Sequence, residues 1–147
     1  MIPEGYTVEV VQDDSDELKD RIRVFERICF PDDESYYRKE YTRWYFLKNP
    51  EGKDVGYVGL DMCFVDNRLS FYLCRTGVLP EFEGRKLNRA LVQYALLTAY
   101  EVGLPVITYV HPSNAGSLRS LMACGFEPYT PKQKFAGDNF VYLEWVP

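Results

Sequence analysis

The sequence predicts a mixed α/β fold, an antiparallel front half followed by one parallel strand–helix–strand crossover. Three observations carry this. Residues 42–48, 53–65 and 68–79 are β-branched and aromatic runs separated by turn residues, as in an antiparallel meander. Residues 86–102 then set Leu87, Ala90, Leu91 and Tyr94 at helical spacing. They lie between the third of those runs and a short apolar run at 105–111. Two strands joined by a helix of that length lie parallel, with a right-handed crossover.

The elements follow in order. "YTVEVVQ" (6–12) alternates and predicts a strand. In "DDSDELKDRIRVFERICF", Asp14 with Glu17, or Ser15, caps a helix whose Leu18, Ile22, Phe25 and Ile28 share one face. Pro31 ends it, and "PDDESYYRKEY" reads as a polar, aromatic loop or a short second helix. "NPEG" (49–52) predicts a type I turn and "DN" (66–67) a second tight turn. In the long helix, Leu97 and Ala99 extend the apolar surface, and Gly103 and Pro105 end it. "SNAGSLRSLMACGF" predicts another helix, with Ser113 or Asn114 at its N-cap and Gly125 at its stop. "FEPYTPKQKF", a turn at "AGDN" (136–139) and "FVYLEWV" make a closing hairpin. The expected order is β-α-α-β-β-β-α-β-α-β-β, in one domain over residues 1–147.

Composition narrows the function. With 46% hydrophobic residues among 147, the chain can bury a sizeable core. A net charge of -5 argues against a nucleic-acid partner, which wants a basic face. No apolar run approaches the roughly 20 residues that span a bilayer, and the start lacks the blocks of a signal peptide. A cytoplasmic protein with no membrane partner is expected. One histidine and four scattered cysteines predict free thiols and no metal site.

Against this acidic background, Arg85, Lys86 and Arg89 put three cations into five residues at a helix start. A helix N-terminus offers unpaired N–H groups and a positive dipole end, where a pyrophosphate is well placed. The alternative is a helix start with solvated basic residues. The element order and two motifs resemble the GNAT superfamily of N-acetyltransferases. "GVLPEFEGRKLNRAL" (77–91) looks like that family's acetyl-CoA loop, V-x-P-E-[YF]-[RQ]-G-x-G-x-G-x-x-L. "NAGSLRSLMACGF" (114–126) is similar to its N-x-x-S…GF segment. The resemblance covers essentially the whole chain. Three positions depart from the pattern. Glu83 stands where Arg or Gln is usual, Lys86 where Gly is, and Asn88 where Gly or Ala is. Both of the last two are expected to be helical, so that small size rather than a positive φ is what glycine would bring there.

The resemblance implies acetyl-CoA as acyl donor, with no metal, and direct transfer of the acetyl group to a small-molecule or peptidyl amine. It implies binding by Val78, Leu79, Gly84, Arg85, Lys86, Leu87, Asn88, Arg89, Asn114 and Ser117. It also implies splayed strands that admit the pantetheine arm, with the backbone N–H near Val78 as oxyanion donor. The family's usual acid, a tyrosine, is replaced by Leu121. Ser117 is a substitute candidate or only a helix-cap hydroxyl; Tyr109 and Tyr129 lie in the same region. His111 and Asp61 are candidate bases, each open to a structural reading. Asp32, Asp33 and Glu34 either attract a cationic amine or are solvated. Tyr36, Tyr37, Tyr41, Trp44 and Tyr45 form an acceptor wall or pack the core. The alternative function is a non-catalytic acyl-CoA-binding or protein-interaction module. The edge of the tail hairpin offers a route to a homodimer.

Overall fold

The computed structural model describes residues 2–33 and 41–147. The expected short second helix, Glu34, Tyr36 and Tyr37 lie outside the described residues. Elsewhere the order is β1 (Thr7–Val11), α1 (Asp16–Cys29), β2 (Arg43–Lys48), β3 (Asp54–Val65), β4 (Arg68–Val78), a single 3-10 turn (Pro80–Phe82), α2 (Leu87–Val102), β5 (Val106–Val110), α3 (Ala115–Ala123), β6 (Glu127–Pro128) and β7 (Val141–Trp145). The strands form one sheet in the order β1-β2-β3-β4-β5-β7-β6. Only β4 and β5 pair parallel; every other neighbouring pair is antiparallel.

Alternation along β2 sets the layers. Trp44 and Phe46 pack with Leu18, Ile22 and Phe25 of α1, while Tyr45 and Leu47 pack with α2 on the opposite face. Phe25 stacks on Tyr57 with centroids 4.6 Å apart, and Trp44 stacks on the same ring at 5.7 Å. Trp44 and Tyr45 are therefore core, and the Tyr45 hydroxyl meets Thr98 Oγ1 at 2.6 Å. Tyr41 is exposed.

Helix faces differ in detail from the periodicity. Ser15, not Asp14, caps α1, accepting from Leu18 N–H at 3.1 Å. Ile28 is exposed and Glu26 is buried instead. Glu26 goes inside because it accepts from the Tyr57 hydroxyl at 2.8 Å and from Arg75 Nε at 3.1 Å. In α2 the buried stripe runs through Leu87, Leu91, Ala95, Leu96 and Ala99, with Tyr94 and Leu97 turned outward. The alanines let the helix lie close to the sheet. Asn114 caps α3.

Both tight turns form. Gly52 N–H reaches Asn49 O at 2.9 Å, and Asp66 and Asn67 both take the left-handed φ of a type I′ turn. In the tail, β6 is only two residues long, and the turn falls at 134–137, where Gly137 N–H meets Lys134 O at 3.0 Å. That register puts the positive φ on Gly137, two residues before the end of "AGDN". Among the described residues no helix is long and apolar enough to cross a membrane.

Candidate functional site

The site begins with a bulge. Leu60 of β3 faces Leu73 of β4 and Gly59 faces Arg75, so Cys74 is an extra residue on β4. A bulge bends its strand. Before it, Phe71 and Tyr72 pair with Val106 and Ile107 of β5. At it, the Thr108 hydroxyl donates to Leu73 O at 2.9 Å. Beyond it the two parallel strands diverge, and a cleft of about 680 Å³ opens between them. Gly59 makes room for the bulge, since a Cβ there would meet Cys74 Sγ and the Trp44 ring at 2.7 Å.

The backbone of β4 is turned toward this cleft. Leu79 N–H bonds Val55 O of β3 at 2.9 Å. Successive groups on a strand point to opposite edges, so the Val78 N–H faces the gap left by β5. At the mouth the chain turns at Gly84 (φ 78°) and Lys86 (φ 59°), and α2 begins. This corrects the helical expectation for Lys86. It is the left-handed residue before α2, the place where glycine carries no steric penalty. Asn88 is helical as expected, and its Oδ1 accepts from the Thr76 hydroxyl.

Ser15 and Asn114 cap α1 and α3, but among the described residues no side chain caps α2. Its first intrahelical bond runs from Ala90 N–H to Lys86 O at 3.1 Å. The N–H groups of Leu87, Asn88 and Arg89 precede it and have no intrahelical acceptor. They open on a second hollow of about 480 Å³, lined also by Glu83, Gly84, Lys86, Gly116, Arg119 and Ser120. It shares Val78, Glu83, Gly84, Asn88, Gly116 and Ser120 with the main cleft, so the two are continuous. Arg85 turns back, its guanidinium 5.4 Å from the Phe82 ring centroid. Arg119 and Thr76 escaped the sequence reading. A basic residue five positions after Asn114 was the available signal for the first; for the second there was none.

The candidate chemical groups separate. Asn114, Ser117, Leu121, Tyr109 and His111 all line the main cleft. Asp61 does not. It is 1% exposed and accepts from the Thr42 hydroxyl at 2.5 Å, within the sheet. Tyr129 stands outside the cleft, with its phenol pushed up to about 12 by burial. His111 Nδ1 accepts from Ser113 N–H at 3.2 Å and lies 2.7 Å from Ser113 Oγ. Its accepting lone pair is therefore engaged, and the neutral ring carries its proton on Nε2. Asp33 ion-pairs with Arg75, which also holds Glu26 and lies 4.2 Å over the Phe30 ring. Burial works against the charge on Arg75, but its bonds to Asp33 and Glu26 outweigh that and hold its pKa above the usual value. Burial, then the nearby Glu26 and Glu83 charges, push the Cys29 thiol up to about 11. Among the described residues, Phe30, Tyr72, Tyr109 and Phe140 line the cleft beside the His111 ring.

A family model described as the acetyltransferase (GNAT) family matches residues 11–126. No curated protein sequence matches the chain closely enough to count as a relative. Among solved structures, the chain is similar to the ribosomal-protein-S18-alanine N-acetyltransferase from Escherichia coli. The identity is 14%, over 95% of this chain and 94% of that one, with a TM-score of 0.69. It is similar to the dodecameric spermidine N-acetyltransferase from Vibrio cholerae at 14% identity, 98% and 95% coverage and a TM-score of 0.68. A third likeness is to NAA60 from Arabidopsis thaliana in complex with acetyl-CoA, at 14% identity, 96% and 98% coverage and a TM-score of 0.68. At such identities the likeness is one of fold.

Proposed function

Since the chain belongs to the acetyltransferase (GNAT) family, we propose that it transfers an acetyl group from acetyl-CoA to an amine. One observation carries this reading: β4 and β5 part beside an uncapped helix N-terminus with Lys86, Arg89 and Arg119 around it. The donor set fits a pyrophosphate. The N–H groups of Leu87, Asn88 and Arg89 supply directed donors, and the three cations supply charge. The gap between the strands suits an extended pantetheine arm that pairs with the β4 backbone. Gly84, with no atom of the described residues within 4 Å of its missing Cβ, leaves the approach open.

In the proposed step the neutral amine attacks the thioester carbonyl. The new C–N bond forms as charge builds on the carbonyl oxygen, and the Val78 N–H stabilises it. Collapse breaks the C–S bond. The thiolate leaves beside the Ser117 hydroxyl, which donates to it, and the attacking nitrogen loses its proton to water. His111 could take that proton only at Nδ1, by giving up the Ser113 N–H. It therefore holds the 111–113 turn rather than serving as base. A required general base is worth about 10²–10⁴-fold, so His111→Asn should lower kcat/KM by less than about tenfold.

A second reading, a binding module without turnover, draws on Leu121 in place of the tyrosine and on the engaged His111. Thermal stabilisation by acetyl-CoA, followed by thiol release with a panel of amines, separates the two. Stabilisation with turnover supports transfer, and stabilisation without turnover supports the module. No stabilisation at millimolar acetyl-CoA removes transfer and the acyl-CoA-binding form of the module, and leaves a protein-interaction module. The β6 edge, which among the described residues pairs only with β7, is where a second copy would add; sedimentation of a Glu127→Pro variant tests that.

A further inference from the structure

Resting on the acetyl-transfer reading, we propose that the acceptor is a primary amine carried on an aromatic group, an arylalkylamine, rather than a polyamine. The basis is the end of the cleft remote from α2. Tyr72 of β4, Tyr109 of β5, Phe30 and Phe140 line it. All four are half-buried, unlike Trp44, Tyr57 and Phe25, which are at most 1% exposed. Tyr72 and Tyr109 lie nearly parallel, 6.0 Å apart at 12°. Phe140 meets Tyr109 edge-on at 4.8 Å and the His111 ring at 6.0 Å. Phe135 closes the group from behind, T-shaped to both tyrosines at 6.0 and 5.8 Å. Offset and edge-on arrangements of this kind are what a further ring extends.

The wall is fixed before any amine arrives. The Tyr142 hydroxyl donates to Gly137 O at 2.6 Å and accepts from Ala136 N–H at 3.0 Å. Asp66 accepts from Lys132 N–H and Gln133 N–H at 3.0 and 2.8 Å. Four backbone groups between 132 and 137 are thus held, which keeps Phe135 and Phe140 against the two strands. Preformed walls spare the ordering cost of binding.

Charge argues the same way. A polyamine needs carboxylates spaced along its length. Among the described residues the ordinary charged groups that line the cleft are Arg75 and Glu83. Arg75 is cationic, and its two carboxylate neighbours, Glu26 and Asp33, are paired to it. Glu83 adjoins Gly84, at the donor end. The aromatic end thus presents ring faces and no carboxylate of its own among the described residues.

The test uses the whole chain with acetyl-CoA and follows loss of the thioester. Phenethylamine, tyramine and tryptamine are compared with butylamine, putrescine, spermidine and a lysine-bearing peptide. The arylalkylamines should exceed butylamine in kcat/KM by about tenfold, and the polyamines by more. Phe140→Ala and Tyr109→Leu should each cut that preference several-fold, while the melting shift given by acetyl-CoA persists. Preference for a polyamine or the peptide, equal rates across the panel, or no turnover of any amine with the acetyl-CoA shift intact would each overturn the inference. A preference for spermidine overturns this inference alone, whereas absence of any acetyl-CoA shift overturns the transfer reading with it.

Discussion

The Thr76 hydroxyl donates to Oδ1 of Asn88, tying β4 to the second residue of α2 across the mouth of the cleft. The bond engages Asn88 Oδ1 and leaves its Nδ2 group as a donor at a residue that lines both hollows. Thr76→Val keeps the shape and removes the bond. An intramolecular hydrogen bond is worth about 0.5–1.5 kcal/mol, so acetyl-CoA affinity should fall about two- to tenfold by calorimetry. An unchanged Kd would mean Asn88 needs no such support.

Lys86 holds a left-handed backbone at the start of α2. That conformation costs a non-glycine residue about 1–2 kcal/mol. Lys86→Gly should therefore raise stability in urea denaturation by about 1 kcal/mol. The same change removes a cation from the hollow, so acetyl-CoA should bind more weakly and with less dependence on salt. Tighter binding would mean the side chain obstructs the cradle.

Glu83 brings a negative charge to the lining of both hollows. It is exposed, and charge interactions at exposed sites are worth about 0.2–1 kcal/mol. Glu83→Gln should tighten acetyl-CoA binding by about two- to fivefold, most clearly at low ionic strength. Weaker binding would show that the carboxylate contributes to the site.

Gly59→Ala would drive a Cβ to 2.7 Å from both Cys74 Sγ and the Trp44 ring. Overpacking of this kind costs about 1–3 kcal/mol. The variant should melt earlier, and a second change, Cys74→Gly, should restore part of the loss.

Alkaline pH should destabilise the fold through Cys29. Its thiol lies at about 11 in the folded chain against an ordinary 9.0. The folded state holds that proton more tightly, so the contribution is complete below pH 9 and is lost as pH rises toward 11. Denaturation midpoints should fall across that window in the wild type, and less steeply in Cys29→Ala. Parallel curves would assign the loss to other groups.

The sequence was most legible where one residue type has one mechanical use. Gly103 and Gly125 stop helices, Asp66–Asn67 makes a turn, and Asn114 caps α3. Lys86 was misread because the phase of Leu91 marks a helix without marking its first residue. Glu26 was invisible as an interior residue because its partners, Tyr57 and Arg75, come from strands far along the chain. Trp44 and Tyr45 could be wall or core, since an aromatic residue on a strand carries no label for its depth. The cleft itself came from the resemblance. No local pattern marks Cys74 as an extra residue, because a bulge exists only relative to its partner strand.

That extra residue reverses parity along β4. Before it, the odd-numbered Phe71 and Leu73 face α2; after it, the even-numbered Thr76 and Val78 do. Removing Cys74 would leave each remaining side chain on its present face and turn the bent strand into an ordinary ladder. The recess is thus a matter of counting. It depends on how many residues β4 has opposite β3, and no substitution can make it half present. A chain one residue shorter at this point could keep its core, its helices and its basic loop, and still have no place for a thioester to lie.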